Sequence, residues 1–185
     1  MADDDRGLGG RVRPLGWGIL LTALGVVYRA RLPVWGWQVR LLAARLLSRV
    51  PPTVLPRPLR VLPPPESEYV GVWELPASEA RRRLLTQYDF SQLARAYLHA
   101  YGRDGRTAYE AVSCARRPGG LFGDWQLHVR LFARPDGRTD VWCHVERNPN
   151  VAPIAHLRRD GYDPERGERR LRELVDEPFV EPEDA

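Results

Sequence analysis

Apolar and polar residues alternate most cleanly between Asp124 and Arg147. Trp125, Leu127, Val129 and Leu131 interleave with Gln126, His128, Arg130 and Phe132, the period of a strand with one face toward a core. The return run interleaves Val141, Cys143 and Val145 with Asp140, Trp142, His144 and Glu146. Between them, Arg134-Pro-Asp-Gly137 supplies Pro and Asp for a type I turn and Gly for a left-handed position, which specifies a three-residue loop with a bulge. That loop sets Arg134 opposite Arg138 and therefore His128 opposite His144. In this register both apolar sets share one face; a slip of one residue would mix them.

The flanking pattern completes an α+β domain over residues 67–177: an antiparallel β-meander with helices packed on one face. Glu68–Glu74 reads as a strand, and Ala77–Tyr88 as a helix with Ser78 at its N-cap. Leu93, Tyr97 and Tyr101 recur at helical spacing, but Gly102-Arg-Asp-Gly105 signals a hairpin into TAYEAVSCA, and strand–turn–strand is preferred. Pro118–Asp124 reads as a mobile Gly-rich loop between strands. A short helix follows over Pro153–Arg159, then a second opened by Asp163 as N-cap and Pro164 at its first position. The tail, residues 178–185, is expected to be disordered. In a meander, one strand separates Cys114 from Cys143 by about 10 Å. A disulfide needs Cα atoms within about 7 Å, so two free thiols are expected.

The N-terminal third follows another rule. Pro14–Tyr28 is an uncharged run of roughly 22 Å as a helix, short of the ~20 residues that span a hydrocarbon core. Flanking Arg side chains can lengthen it by snorkelling, and Trp17 and Tyr28 suit an interface. A transmembrane or re-entrant anchor is the preferred reading, with a buried soluble helix and a cleaved signal peptide as alternatives. Residues 33–50 then form an amphipathic helix, with Gln38, Arg45, Ser48 and Arg49 on one side and Val39, Leu42, Leu46 and Leu47 across from them. Its alternative role is packing on its own protein. Residues 1–50 are thus read as a membrane-associated segment, with Trp17, Leu20, Leu21, Tyr28, Trp35 and Trp37 as anchor residues. Seven Pro within residues 51–66 favour an extended stalk reaching up to about 50 Å.

Charge sharpens this division. Residues 1–65 hold ten Arg against three Asp, whereas residues 66–185 hold eighteen Arg against twenty-one acids. The positive charge thus belongs to the apolar, Trp-rich segment, which suits a membrane surface; no basic stripe marks the body, and nucleic acid is disfavoured as a partner. More Arg follow the apolar run than precede it, which places the body in the cytoplasm. No Lys occurs, and genome bias is the preferred reason.

Chemistry is confined to the polar hairpin face. His128, His144 and Glu146 are candidate ligands for a transition metal or members of a pH-sensitive pair, with His156 as a guessed third imidazole. Arg130, Phe132 and Trp142 form a candidate interaction face, with a cation–π contact between Arg130 and Trp142. The structural alternative is a face that is merely solvated or covered by a C-terminal helix. No Walker-type loop, H-E-x-x-H or G-x-S-x-G occurs, so no cofactor is assigned. The chain is read as a non-enzymatic binding or scaffolding module with lipid at residues 14–50 and an undefined protein partner. The alternative is a metal-dependent or pH-sensing domain or enzyme.

From Trp125 onward, QLHVRLF, DGRTDVWCH and GYDPERG resemble uncharacterised small α+β domain proteins of halophilic archaea. The resemblance covers about a quarter of the chain. It implies no activity and carries over no site residues. A Lys-free composition fits that source, whereas a body charge of only −3 departs from the strongly acidic surfaces expected there.

Overall fold

The computed structural model describes residues 35–56, 59–93, 97–103 and 105–181. The anchor residues Trp17, Leu20, Leu21 and Tyr28, and tail residues 182–185, lie outside them. Helix α1 (Trp35–Leu47) is followed by β1 (Val61–Leu62), β2 (Tyr69–Trp73), α2 (Ala77–Thr86), β3 (Ser91–Gln92), β4 (Leu98–Arg103), β5 (Arg106–Arg116), β6 (Trp125–Ala133), β7 (Thr139–Arg147), α3 (Pro153–Arg158) and α4 (Pro164–Leu174). The strands form one mixed sheet in the order β1-β4-β5-β6-β7-β2, with β3 also on β5. Every pairing is antiparallel except β1 with β4. The class is α+β.

The β6–β7 hairpin follows its turn chemistry. Arg134 N–H donates to Arg138 O at 2.9 Å, Gly137 takes φ +83°, and His128 faces His144. Leu127, Val129, Leu131, Val141, Cys143 and Val145 join the core, where α2 adds Ala77, Ala80 and Leu84 and α4 adds Leu171. Cys114 and Cys143 are free and fully buried, on β5 and β7 with β6 between them. Asp163 caps α4 as its sequence predicts, accepting from Arg166 N–H at 2.8 Å. Ser78 does not cap α2: the N-cap is Pro76, two residues earlier, whose carbonyl accepts from the amides of Glu79 and Ala80.

Four expectations change. First, the tail does not begin free. Phe179 is buried edge-on against Trp73, and Val180 exchanges both backbone hydrogen bonds with Val72. Gly71 makes this possible: its φ is +137°, and a Cβ there would lie 2.8 Å from Val180 O. Second, the Pro-rich stretch is not a stalk throughout, because Val61 and Leu62 between the prolines pair with Leu98 and His99 on the sheet edge. Third, α1 contacts the body. Ala44 is fully buried, and Arg40 pairs with Glu110 at 2.9 Å. The helix leaves Val39, Leu42 and Leu46 exposed, with Leu47 half-buried. Among the described residues no helix is long and apolar enough to cross a membrane.

The fourth change concerns the polar hairpin face, which is not solvated; a C-terminal helix, α3, does cover part of it, but the cover is mostly drawn from elsewhere. Gln126, His128, Arg130, Phe132, Asp140, Trp142 and His144 are all buried. A bulge between Glu110 and Val112 bends β5, and such bulges re-aim the strand beyond them. Tyr101 and Arg103 of β4 reach Asp140 on β7. The Glu66–Glu68 turn, Tyr69, Tyr162 and α3 cover the rest. Alternation shows which face is apolar; it does not show whether the other face is dry.

Candidate functional site

A buried charge is stable only where it is paired, hydrogen-bonded or bound to metal. The polar face carries four such carboxylates. Asp140 is held by Arg103 at 2.6 Å and Arg134 at 3.2 Å, with Tyr101 donating as well. Glu110 is held by Arg40 and by His99 Nδ1 at 2.9 Å. Glu68 is paired with Arg130 and receives the Tyr162 hydroxyl at 2.6 Å. Glu146 differs. Among the described residues its basic partners are imidazoles alone: His128 Nδ1 at 3.5 Å, His144 Nε2 at 3.2 Å and His156 Nδ1 at 3.2 Å. Gln126 Nε2 also donates to it at 2.6 Å.

The register delivers this cluster. His128 and His144 are cross-strand partners on β6 and β7 with ring centroids 4.9 Å apart, and Glu146 lies two residues along β7 on the same face. Ligand atoms of His128, His144 and Glu146 all fall within 4.8 Å of one another. Each histidine also meets an outer group. His128 Nε2 is 2.8 Å from Ser113 Oγ on β5. His144 Nδ1 is 3.2 Å from Glu68 Oε1, yet lacks the alignment of a hydrogen bond and has no such partner among the described residues. His156 bonds Arg147 O at 3.1 Å and closes the cluster from α3.

Burial sets the charge state. It pushes the His128 and His144 imidazoles below their ordinary value, more strongly than Glu146 pulls them back. Burial opposes ionisation of Glu146, but hydrogen bonds from His128, His144 and His156 outweigh it and hold the carboxyl below the usual range. His156 is raised by its bond to Glu146. Burial lowers Arg130 to about 10 against the opposing pull of the Glu146 carboxylate, and its direct ion pair is with Glu68. Near neutral pH His128 and His144 are therefore neutral imidazoles beside an anionic carboxylate, which is a metal-binding donor set.

The other sequence candidates lie elsewhere in the architecture. Phe132 and Trp142 are buried in an aromatic cluster with Tyr69 and Tyr101, at centroid distances of 4.7–5.1 Å. With Arg130 also buried, the three do not present an exposed interaction face. Arg130 pairs with Glu68, and the cation–π contacts among the described residues use other Arg. Trp35 and Trp37 fall within α1. Sequence reasoning missed Glu68, Ser113 and Tyr162, which no local motif connects to the hairpin. It also missed Asn148, whose Nδ2 donates to Leu121 O at 3.0 Å and Gly123 O at 2.7 Å and ties down the Gly-rich loop.

Together these define an α+β protein whose sheet is apolar on one side and carries a buried, histidine-rich charge network on the other. No family model, curated protein or solved structure matches the chain.

Proposed function

We propose that the chain is a membrane-tethered, non-enzymatic binding module whose body sits on the cytoplasmic side. The observation that carries this reading is the outward face of α1. Val39, Leu42 and Leu46 are 62%, 57% and 52% exposed, on a helix that already meets the body through Arg40 and Ala44. Leaving three large apolar side chains bare beside Arg45 and Arg49 suits a headgroup boundary. The uncharged run Pro14–Tyr28 precedes this helix in sequence and supplies the deeper anchor. Lipid is therefore the partner of residues 14–50. For a protein partner, Phe122, Ile154 and Leu157 are also left exposed.

Vesicle flotation of the full chain tests the proposal. Wild type floats with anionic vesicles and stays bound in high salt. Fully burying a Val or Leu is worth about 1.5–3 kcal/mol, so three half-exposed side chains contribute roughly 3 kcal/mol. Val39→Asp, Leu42→Asp and Leu46→Asp together should then weaken partitioning about 100-fold. A wild-type chain freely dispersed in buffer, or released by salt alone, refutes the reading.

A further inference from the structure

The centre around Glu146 has the wrong dimensions for a finished ion-pair network. Charge-assisted N–H···O bonds run about 2.7–2.9 Å. The three imidazole nitrogens stand 3.2, 3.2 and 3.5 Å from the Glu146 oxygens. A tetrahedral ion with bonds of about 2.0–2.1 Å has ligand–ligand edges of roughly 3.3–3.4 Å; His128 Nδ1 and His144 Nε2 stand on that scale from the Glu146 oxygens, and the three ligand atoms, all within 4.8 Å of one another, would draw together onto an ion. Charge points the same way. Each of the other three buried carboxylates on this face has a guanidinium in direct contact, whereas Glu146 among the described residues has none within ion-pair distance and feels Arg130 only from further off.

We propose that His128, His144 and Glu146 bind one divalent first-row transition-metal ion, zinc best matching the donor set. His128 ligates through Nδ1 and His144 through Nε2, the two nitrogens that face Glu146. The opposite nitrogens then carry protons, and both have acceptors waiting: Ser113 Oγ for His128 and Glu68 Oε1 for His144. A ligating histidine that donates its other N–H to a hydroxyl or carboxylate is the usual outer arrangement of such centres. It also accounts for His144 Nδ1, an orphan buried nitrogen whose misaligned contact with Glu68 tightens once the ring is fixed. Glu68 is itself oriented by Arg130 and Tyr162, so the support is built in depth. His156 remains outside as a donor to the carboxylate and, with its side chain 28% exposed, marks the side from which an ion enters. Three protein ligands leave one position for water or an exchangeable ligand, the composition of open rather than closed zinc sites. This inference stands apart from the membrane reading and survives its failure.

The test is cobalt and zinc titration of the full, tag-free chain, in detergent if needed, after chelator treatment. Wild type should take up one cobalt ion per chain, with the intense visible bands of tetrahedral cobalt, and one zinc should displace it. Glu146→Gln and His128→Asn should abolish those bands. Ser113→Ala, which removes only a hydroxyl, should keep the bands but weaken affinity about 10–100-fold, and His99→Gln, on a separate carboxylate, should change nothing. A wild-type chain that takes up neither metal overturns the proposal. So does cobalt uptake that persists in both Glu146→Gln and His128→Asn, because the ion then lies elsewhere.

Discussion

Replacing Arg130 by Met measures how far the buried side of the sheet depends on paired charge. Arg130 and Glu68 are 7% and 2% exposed, and Arg130 is the only guanidinium on Glu68 among the described residues. Met fills much of the volume of the Arg stem but leaves a carboxylate in a dry site, with only Tyr162 and the misaligned His144 near it. Breaking a buried pair from one side costs about 3–5 kcal/mol. A Coulomb attraction of about 4 kcal/mol for charges ~4 Å apart at an effective dielectric of 20 gives the same scale. Glu68→Gln should cost a similar amount by stranding the guanidinium. The double variant Glu68→Gln/Arg130→Met leaves neither charge behind, so it should be less destabilised than the two single losses summed, with a coupling of about 2 kcal/mol or more. Urea unfolding of the chelator-treated chain, followed by tryptophan fluorescence, reads all four corners of the cycle. A loss under about 1 kcal/mol for Arg130→Met, or strict additivity, would show that the pair is solvated and the reasoning wrong.

Other outcomes follow from single contacts. Gly71→Ala forces a Cβ against Val180 O at a φ of +137° and should cost about 2–3 kcal/mol; hydrogen exchange should show lost protection at Val72 and Val180. Phe179→Ala should cost about 3–5 kcal/mol in a urea melt, because its ring packs 5.5 Å from Trp73 inside the core. Asp163→Ala removes the α4 cap and should cost about 1 kcal/mol by the same measurement. Cys114 and Cys143 are fully buried, with burial pushing both thiols above their ordinary range, so a disulfide-exchange reagent should label neither in the native chain and both in denaturant.

The hairpin was legible because two independent codes agree on it. Arg134-Pro-Asp-Gly137 fixes the loop and with it the register, and the apolar alternation independently excludes a slip of one residue. The Asp163 cap was legible for a similar local reason. What covers the polar face was not, because its cover comes from far along the chain: Glu68 reaches Arg130, Arg40 reaches Glu110, and Tyr101 reaches Asp140. The register also shifts in β5 between Glu110 and Val112, and nothing in TAYEAVSCA announces it. Glu146 was named as a candidate ligand, but that no described guanidinium contacts it directly emerges only from the fold. The dry setting of Phe179 was equally hidden, since FVEPEDA is dominated by residues that favour solvent.

The Val72–Val180 pairing has a practical implication for anyone handling this protein. A β-sheet recruits strangers through its unzipped borders, and here each border carries a short piece of the chain itself: Val61–Leu62 beside β4 and Val180 beside β2. Pro63, next along from Leu62, denies an incoming strand the amide it would need to extend that contact. Trimming the C-terminus at residue 178 would therefore uncover a sticky seam, and clumping, rather than simple loss of fold, is the first symptom to look for.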